Sequence, residues 1–201
     1  LEVFGDRAII AYHGWGNYYS GVRYQLTSGG SDFTDADTLP NQNCSGTVTF
    51  GSEGSYIWPI MAVDNDGSPD PVMHVITHEL QNNGAGNFTR SLVYYRGHGP
   101  GFGDFGPCGK FIDSVTNIAA VVVQDPSSQD VAIAYIKPRA YAEGVRNEFN
   151  NDLMVIKSSD LGVTWGLPQN ITHHNSFDLE RPYYNLSALY TANGCLHVVW
   201  D

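Results

Sequence analysis

Ser158-Ser159-Asp160-Leu161-Gly162-Val163-Thr164-Trp165 is the stretch that decides the fold of this chain, and it fills every fixed position of the pattern S-x-D-x-G-x-T-W. Residues 151–157 before it read as a strand, and Trp165 begins another, so the stretch predicts a tight turn between strands. An Asp in such a turn accepts backbone hydrogen bonds, and a Gly supplies the positive φ that the reversal needs. We expect Asp160 to bond within its own turn and Trp165 to be buried beneath it.

This turn resembles the Asp-box, or BNR repeat, of sialidases and of the wider family of sialidase-like β-propellers. The resemblance rests on five residues, namely Ser158, Asp160, Gly162, Thr164 and Trp165. It implies a structural turn on the face opposite the active site, without a catalytic role of its own. A degenerate copy occupies residues 27–33, with Ser28 where the Asp would stand.

Apolar runs recur along the chain at a spacing typical of propeller blades. Runs that read as second strands end at residues 12, 77, 135 and 200, at intervals of 65, 58 and 65 residues. First-strand runs precede three of them, third-strand runs follow, and weaker fourth-strand runs lie near 46–50, 110–114 and 166–171. Four strands per unit of about 60 residues is the pattern of a propeller blade. A β-sandwich with coincidental spacing is the alternative.

The predicted fold class is therefore all-β, a β-propeller of four-stranded antiparallel blades. The chain 1–201 reads as a partial propeller with blade remnants at about 1–50, 51–115, 116–172 and 173–201. It opens near the second strand of one blade and closes at the second strand of another, which makes about three blades. Because a closed ring needs at least about four blades, we expect the chain to be part of a larger ring of about six to eight, or to be completed by another copy or chain.

Composition excludes several classes of partner. The net charge is −11 with only 10 Lys and Arg residues, so nucleic acid is not an expected partner. No apolar run approaches the roughly 18–20 residues of a transmembrane segment. Three cysteines are present, none in a C-x-x-C pair, so we expect neither a zinc site nor a disulfide among Cys44, Cys108 and Cys195.

Four N-x-S/T sequons add only slight support to the expected location, the extracellular space or cell surface, because such triplets are common by chance. They begin at Asn43, Asn87, Asn170 and Asn185. We expect Asn185 to lie in an inner strand, where a glycan would not fit.

The resemblance also indicates where a ligand would bind. In sialidase-like propellers the loops between second and third strands share the active-site face with the entries to the first strands. Here those segments are rich in aromatic and charged residues, which suits a sugar or a protein ligand; filling of gaps between blades is the alternative. The candidates are Arg181, Glu180, Tyr183, Trp58, Tyr56, His13, Trp15, His78, Glu79 and Arg139.

Sialidase activity requires a more specific set of side chains than ligand binding does. The family holds a substrate carboxylate with three arginines, and uses a Tyr–Glu pair as nucleophile and an Asp as acid/base. Its F/Y-R-I-P motif is absent here, and Glu180-Arg181-Pro182-Tyr183 is the nearest candidate. The other arginines weighed, Arg96 and Arg139, form no recognisable triad with Arg181, so the sequence favours a non-catalytic module over an exo-sialidase and leaves the catalytic residues unknown.

Two clusters of side chains contain residue types that bind metal ions. Asp64, Asp66 and Asp70 offer oxygen ligands of the kind that calcium prefers, but the terminal Glu of an EF-hand loop is missing, so a solvated acidic turn is favoured. His74 and His78 would share one face of a strand, and His197 occupies the position of His74 in another repeat. Packing between blades explains this column better than a metal, so no cofactor is expected. Open blade edges leave self-association as a further possibility.

Overall fold

The structure is a computed structural model of the 201-residue chain. It describes the backbone of residues 2–4, 7–13, 22–28, 32–33, 37–38, 56–64, 71–82, 88–98, 105–106, 109–115, 119–138, 151–173, 182 and 185–201. Side chains are described in the same ranges from residue 59 onward, except for 79–82 and 88–90.

All the regular structure in these residues is β-strand. The described residues contain no helix that is long and apolar enough to cross a membrane. The strands are β1 (Glu2–Phe4), β2 (Arg7–His13), β3 (Val22–Ser28), β4 (Asp32–Phe33), β5 (Asp37–Thr38), β6 (Tyr56–Val63), β7 (Met73–Asn82), β8 (Phe88–Gly97), β9 (Lys110–Val115), β10 (Ala120–Gln124), β11 (Val131–Pro138), β12 (Asn151–Ser158), β13 (Gln169–Asn170), β14 (Leu186–Tyr190) and β15 (Leu196–Trp200).

The strands form sheets in which neighbours in space follow one another in the chain. The second sheet has the order β6-β7-β8-β9 and the third has the order β10-β11-β12-β13. In the first sheet β1, β2 and β3 pair in order, and both β4 and β5 pair with β3. The fourth sheet contains β14 and β15. The prediction of an all-β chain with four-stranded antiparallel sheets is confirmed for the described residues.

Central strands that are buried on both faces explain why the apolar runs were readable in the sequence. Residues 71–78, most of them in β7, and residues 131–136 of β11 are all buried. A strand covered on both sides carries a near-continuous apolar run, because neither face meets water. The runs that read as second strands at 73–77 and 131–135 are these two strands.

Other strand predictions are corrected in their bounds. The run at 56–63 matches β6, but β1 precedes β2, so the chain begins with a first strand rather than a second. The fourth-strand run at 110–114 is β9, whereas the one at 166–171 shortens to β13. The fourth-strand run at 46–50 lies outside the described residues.

The chain divides into two compact units, residues 1–113 and 114–201. In the second unit the third sheet packs against the fourth. Ala134, Leu153 and Val155 form a buried apolar cluster on the third sheet, and Leu186, Leu196 and Val198 of the fourth sheet pack on it. In the first unit β6 lies against β1, β2 and β3.

Candidate functional site

The turn between β12 and β13 is held together by the side chains of Ser158 and Asp160. The Asp160 Oδ1 atom accepts the backbone N–H of Thr164 at 2.8 Å, and Oδ2 accepts the Thr164 hydroxyl at 2.6 Å. The Ser158 hydroxyl donates to Asp160 Oδ1 at 2.7 Å and accepts the Gly162 N–H at 2.8 Å. Such bonds replace the ladder bonds that a turning backbone gives up. The prediction that Asp160 accepts a backbone hydrogen bond within its own turn is confirmed.

The backbone of this turn passes through the left-handed region at two successive residues. The φ angle is 52° at Leu161 and 80° at Gly162. Gly162 adopts this angle without the steric penalty of a Cβ, whereas Leu161 is strained by about 1 kcal/mol or more. The Leu161 N–H donates to the carbonyl of Gln129 at 2.9 Å, which fixes the strained residue to the turn between β10 and β11.

The Asp160 carboxylate is fitted to a structural role. The hydroxyl of Thr164, then its backbone N–H, then the hydroxyl of Ser158 lower the pKa of Asp160 to about 2. All three donors favour the charged form, so the group stays ionised near neutral pH. It is therefore poorly suited to exchange protons as a general acid.

Trp165 is half-buried and its indole Nε1 atom is inaccessible to solvent, so the expectation that its ring is buried beneath the turn is met in part. The physical reason is local, because residues 166–169 that follow it are all exposed. One side of this connection therefore faces solvent, and Leu167 is 87% exposed.

The neighbouring turn between β10 and β11 is built on the same principle. Asp125 Oδ1 accepts the Ser127 N–H at 2.9 Å and the Ser127 hydroxyl at 2.7 Å. These bonds, the backbone one first, lower the pKa of Asp125. The side chains of Asp125 and Asp160 at this end of the third sheet are thus both occupied by their own turns.

A buried carboxylate that the sequence did not reveal lies at the opposite end of the third sheet. Asp152 is 7% exposed. Its Oδ2 accepts the Asn170 amide at 2.8 Å and its Oδ1 accepts the Thr172 hydroxyl at 3.1 Å. The Thr172 hydroxyl in turn accepts the Leu153 N–H at 3.1 Å. This group of side chains fastens residues 170–172 to the start of β12.

Asn151, the first residue of β12, connects this end of the sheet to the segment before β14. Its side chain is fully buried, and its Nδ2 donates to the Pro182 carbonyl at 3.3 Å. Pro182 is buried as well. The contact brings residue 182, which adjoins the predicted ligand candidates at 180, 181 and 183, to the point where the segment 139–150 enters β12.

His78 and Glu79 lie in a strand rather than in the predicted loop. β7 continues to Asn82 because β8 begins at Phe88, and pairing with β8 holds the extra residues extended. The His78 side chain is fully buried, and residue 78 pairs with Leu92 and Ile57. His78 is therefore a core residue, and its place as a loop candidate for ligand binding is corrected. Lys137 and Pro138, also read as loop, belong to β11.

His74 is a fully buried histidine with a specific partner. Its Nδ1 atom lies 2.7 Å from the Tyr94 hydroxyl, and the two rings stack at 21° with centroids 6.0 Å apart. Among the described residues its Nε2 has no hydrogen-bond partner. Burial, and then the positive charge of Arg96 on β8, lower the pKa of His74 to about 3. The ring is therefore neutral at physiological pH, which fits packing better than binding.

The remaining ligand candidates fall at or beyond the edge of the described structure. Backbone pairing places Tyr56 and Trp58 at the start of β6 and His13 at the end of β2. The structure describes none of the candidates Trp15, Arg139, Glu180, Arg181 and Tyr183. Their grouping around a ligand stays a prediction.

The acidic candidates for calcium are described only in part. Asp64 is buried, and its backbone N–H donates to Val72 O at 2.8 Å. Asp66 and Asp70 lie outside the described residues. Within the part of the chain that the structure describes, no three His, Cys, Asp or Glu side chains form a group that could hold a metal ion. Cys195 has an exposed free thiol, and Cys44 and Cys108 lie outside this part.

Comparison of the chain with known protein families, with curated proteins and with solved structures found no match.

Proposed function

We propose that this chain is part of a non-catalytic, sialidase-like β-propeller module of an extracellular or cell-surface protein. The observation that carries the proposal is the turn at 158–165. It lies between the third and fourth strands of a sequential antiparallel sheet, where an Asp-box stands in that family, and Asp160 bonds to Thr164 within it. A ring of about six to eight blades, completed by further segments or chains, accommodates the repeated sheets.

The ligand that we propose is a glycan or a protein, bound at the end of the third sheet opposite the turn at 158–165. The turns at 125–130 and 158–165 use the Asp125 and Asp160 side chains for internal hydrogen bonds. At the other end, Asn151 at the start of β12 donates a hydrogen bond to the Pro182 carbonyl. The sequence around this contact, at 139–150 and 180–183, carries Arg, Glu and Tyr side chains, which suit the hydroxyls and apolar faces of a sugar.

Binding without hydrolysis is supported by the arginines, which are few and scattered along the sequence. A carboxylate-binding triad would need three of them to converge on one site.

The test measures binding and hydrolysis on the same samples. We expect the full chain to be retained by a sialylated or other glycan on an array, and to release no fluorophore from a fluorogenic sialoside. Arg181→Ala is expected to weaken retention, and Lys157→Ala, which alters an exposed residue near the opposite end of β12, is the control. Sialoside turnover that disappears in Arg181→Ala and persists in Lys157→Ala would establish the alternative function, an exo-sialidase.

Self-association through an open sheet edge is the second candidate function. The fourth sheet has two strands in the described residues, and Leu189, Val199 and Trp200 are 55%, 69% and 42% exposed. An uncovered apolar strand pair recruits partners. Light scattering after size-exclusion chromatography tests this function. We expect a concentration-dependent mass that Val199→Lys lowers, and a monomeric mass at all concentrations would rule the candidate out.

A further inference from the structure

N-linked glycosylation places a bulky polar group on one Asn side chain, so the fold must leave room for it. The acceptor is the Asn of an N-x-S/T triplet. Its Nδ2 attacks C1 of a lipid-pyrophosphate-linked oligosaccharide, the bond from C1 to the pyrophosphate oxygen breaks, and Nδ2 loses a proton. The product keeps a single N–H on Nδ2, so an acceptor that needs both N–H groups for the fold is unsuitable.

Two of the four sequons lie in the described part of the chain, and they differ in their surroundings. Asn170-Ile171-Thr172 belongs to the polar group around Asp152. Asn170 is half-buried, its Nδ2 donates to Asp152 at 2.8 Å, and its Oδ1 accepts the His173 N–H at 2.9 Å. A sugar on this nitrogen would have to fit beside a carboxylate that is itself 7% exposed.

Asn185-Leu186-Ser187 is open by comparison, and the expectation that Asn185 lies within an inner strand is corrected. Asn185 precedes β14 instead of lying inside it, and it is exposed. Residues along β14 alternate in burial, with Leu186 packed on the apolar cluster of the third sheet and Ser187 exposed. Asn185 and Ser187 therefore both face away from that cluster.

The hydrogen bonds of Asn185 tolerate the modification. Its backbone N–H donates to Asp201 Oδ1 at 2.9 Å, and its Nδ2 donates to Asp201 Oδ2. The first bond does not involve the side chain, and the second needs one N–H, which a glycosylated Asn retains. Asp201 is exposed, so water solvates its carboxylate if the second bond is lost.

We propose that Asn185 is an acceptor for an N-linked glycan and that Asn170 is not. The proposal rests on the extracellular location that the proposed function assigns to the chain. Asn43 and Asn87 lie outside the described residues and form no part of it.

The experiment supplies the secretory pathway, so that its result does not depend on where the chain is found naturally. The chain is expressed behind a signal peptide in mammalian cells. Secreted and cell-retained fractions are treated with peptide N-glycosidase in ¹⁸O-water and mapped by mass spectrometry. We expect the ¹⁸O label at Asn185 and none at Asn170. Asn185→Gln and Ser187→Ala should each remove one glycan, Ser187→Thr should retain it, and Asn170→Gln should leave the glycan mass unchanged.

An unlabelled Asn185 in both fractions overturns the proposal, as does a label at Asn170 equal to that at Asn185. Ser187→Ala keeps the Asn185 side chain and its bonds to Asp201, so it separates loss of the acceptor signal from loss of the fold. Failure of glycan-array binding by bacterially produced protein would refute the proposed function without bearing on this site.

Discussion

Acidification is expected to destabilise the chain through His74. Burial and the neighbouring Arg96 lower the pKa of His74 in the fold to about 3, from 6.5 in the unfolded chain. The fold thus favours the neutral ring, while the unfolded chain takes up a proton below pH 6.5. The contribution of His74 to stability is complete above that value and is lost progressively as the pH falls toward 3.

The magnitude follows from the two pKa values. Each pKa unit corresponds to about 1.4 kcal/mol, and the loss begins near the unfolded pKa. Between about pH 8 and about pH 5, protonation of the unfolded chain at this residue removes about 2 kcal/mol from the free energy of unfolding. Urea unfolding followed by tryptophan fluorescence, at constant ionic strength across this range, measures it.

The variant His74→Gln isolates the effect, because an amide does not titrate and still offers a hydrogen-bonding group to Tyr94. We expect it to be less stable than the wild type at about pH 8, but to lose about 2 kcal/mol less on acidification. His197→Gln is the matched control, since His197 occupies the equivalent position in β15 and is exposed. If wild type and His74→Gln lose stability in parallel, the reasoning about a buried neutral ring is refuted.

Three further predictions concern single contacts. Asp160→Ala should lower the melting temperature, and because the pKa of Asp160 is about 2, the wild-type contribution should fade only as the pH falls from 3.8 through about 2. Gly109→Ala should cost about 1–3 kcal/mol in chemical denaturation. A Cβ there would lie 2.5 Å from two core side chains. Gly166→Ala, with its nearest atom at 3.5 Å, should have little effect. Thr172→Val should cost about 1–3 kcal/mol in the same assay, because a backbone N–H of β12 loses its acceptor; unchanged stability would contradict this.

The strands that the sequence predicted best are those buried on both faces. In β7 and β11 the apolar run is continuous, and its ends are marked by turn residues. The far half of β7 was missed because its residues 78–82 include His, Glu, Gln and Asn, which read as loop. Pairing with β8, which reaches back to Phe88, overrides that local preference. Tertiary pairing of this kind has no signature in the residues of one strand.

The contacts at the two ends of the third sheet also differ in how well the sequence predicts them. The turn around Asp160 was predictable because its partners lie within four residues of it in the sequence. Asp152 finds its partners 18 and 20 residues away, at Asn170 and Thr172. Those two residues belong to one sequon, a pattern that indicates a glycan acceptor and does not indicate a hydrogen bond to Asp152. The register between β12 and β13 determines the contact of Asp152 with Asn170, and the spacing of residues along the sequence does not predict that register.

At one position of the repeat, the chemistry of the side chain depends on whether other residues cover it. Residue 74 in β7 is a buried His, residue 132 in β11 is a buried Ala, and residue 197 in β15 is an exposed His. On β11 the same face carries Ala134, which packs against Leu186, Leu196 and Val198 of the fourth sheet. On β15 that face carries Val199, which is 69% exposed, since no other described residue covers it. The same side chain therefore gives a proton-linked contribution to stability at residue 74 and is an exposed surface side chain at residue 197. The repeat determines which residues occupy equivalent positions, and packing against a neighbouring sheet determines whether the side chain at that position is buried or solvated.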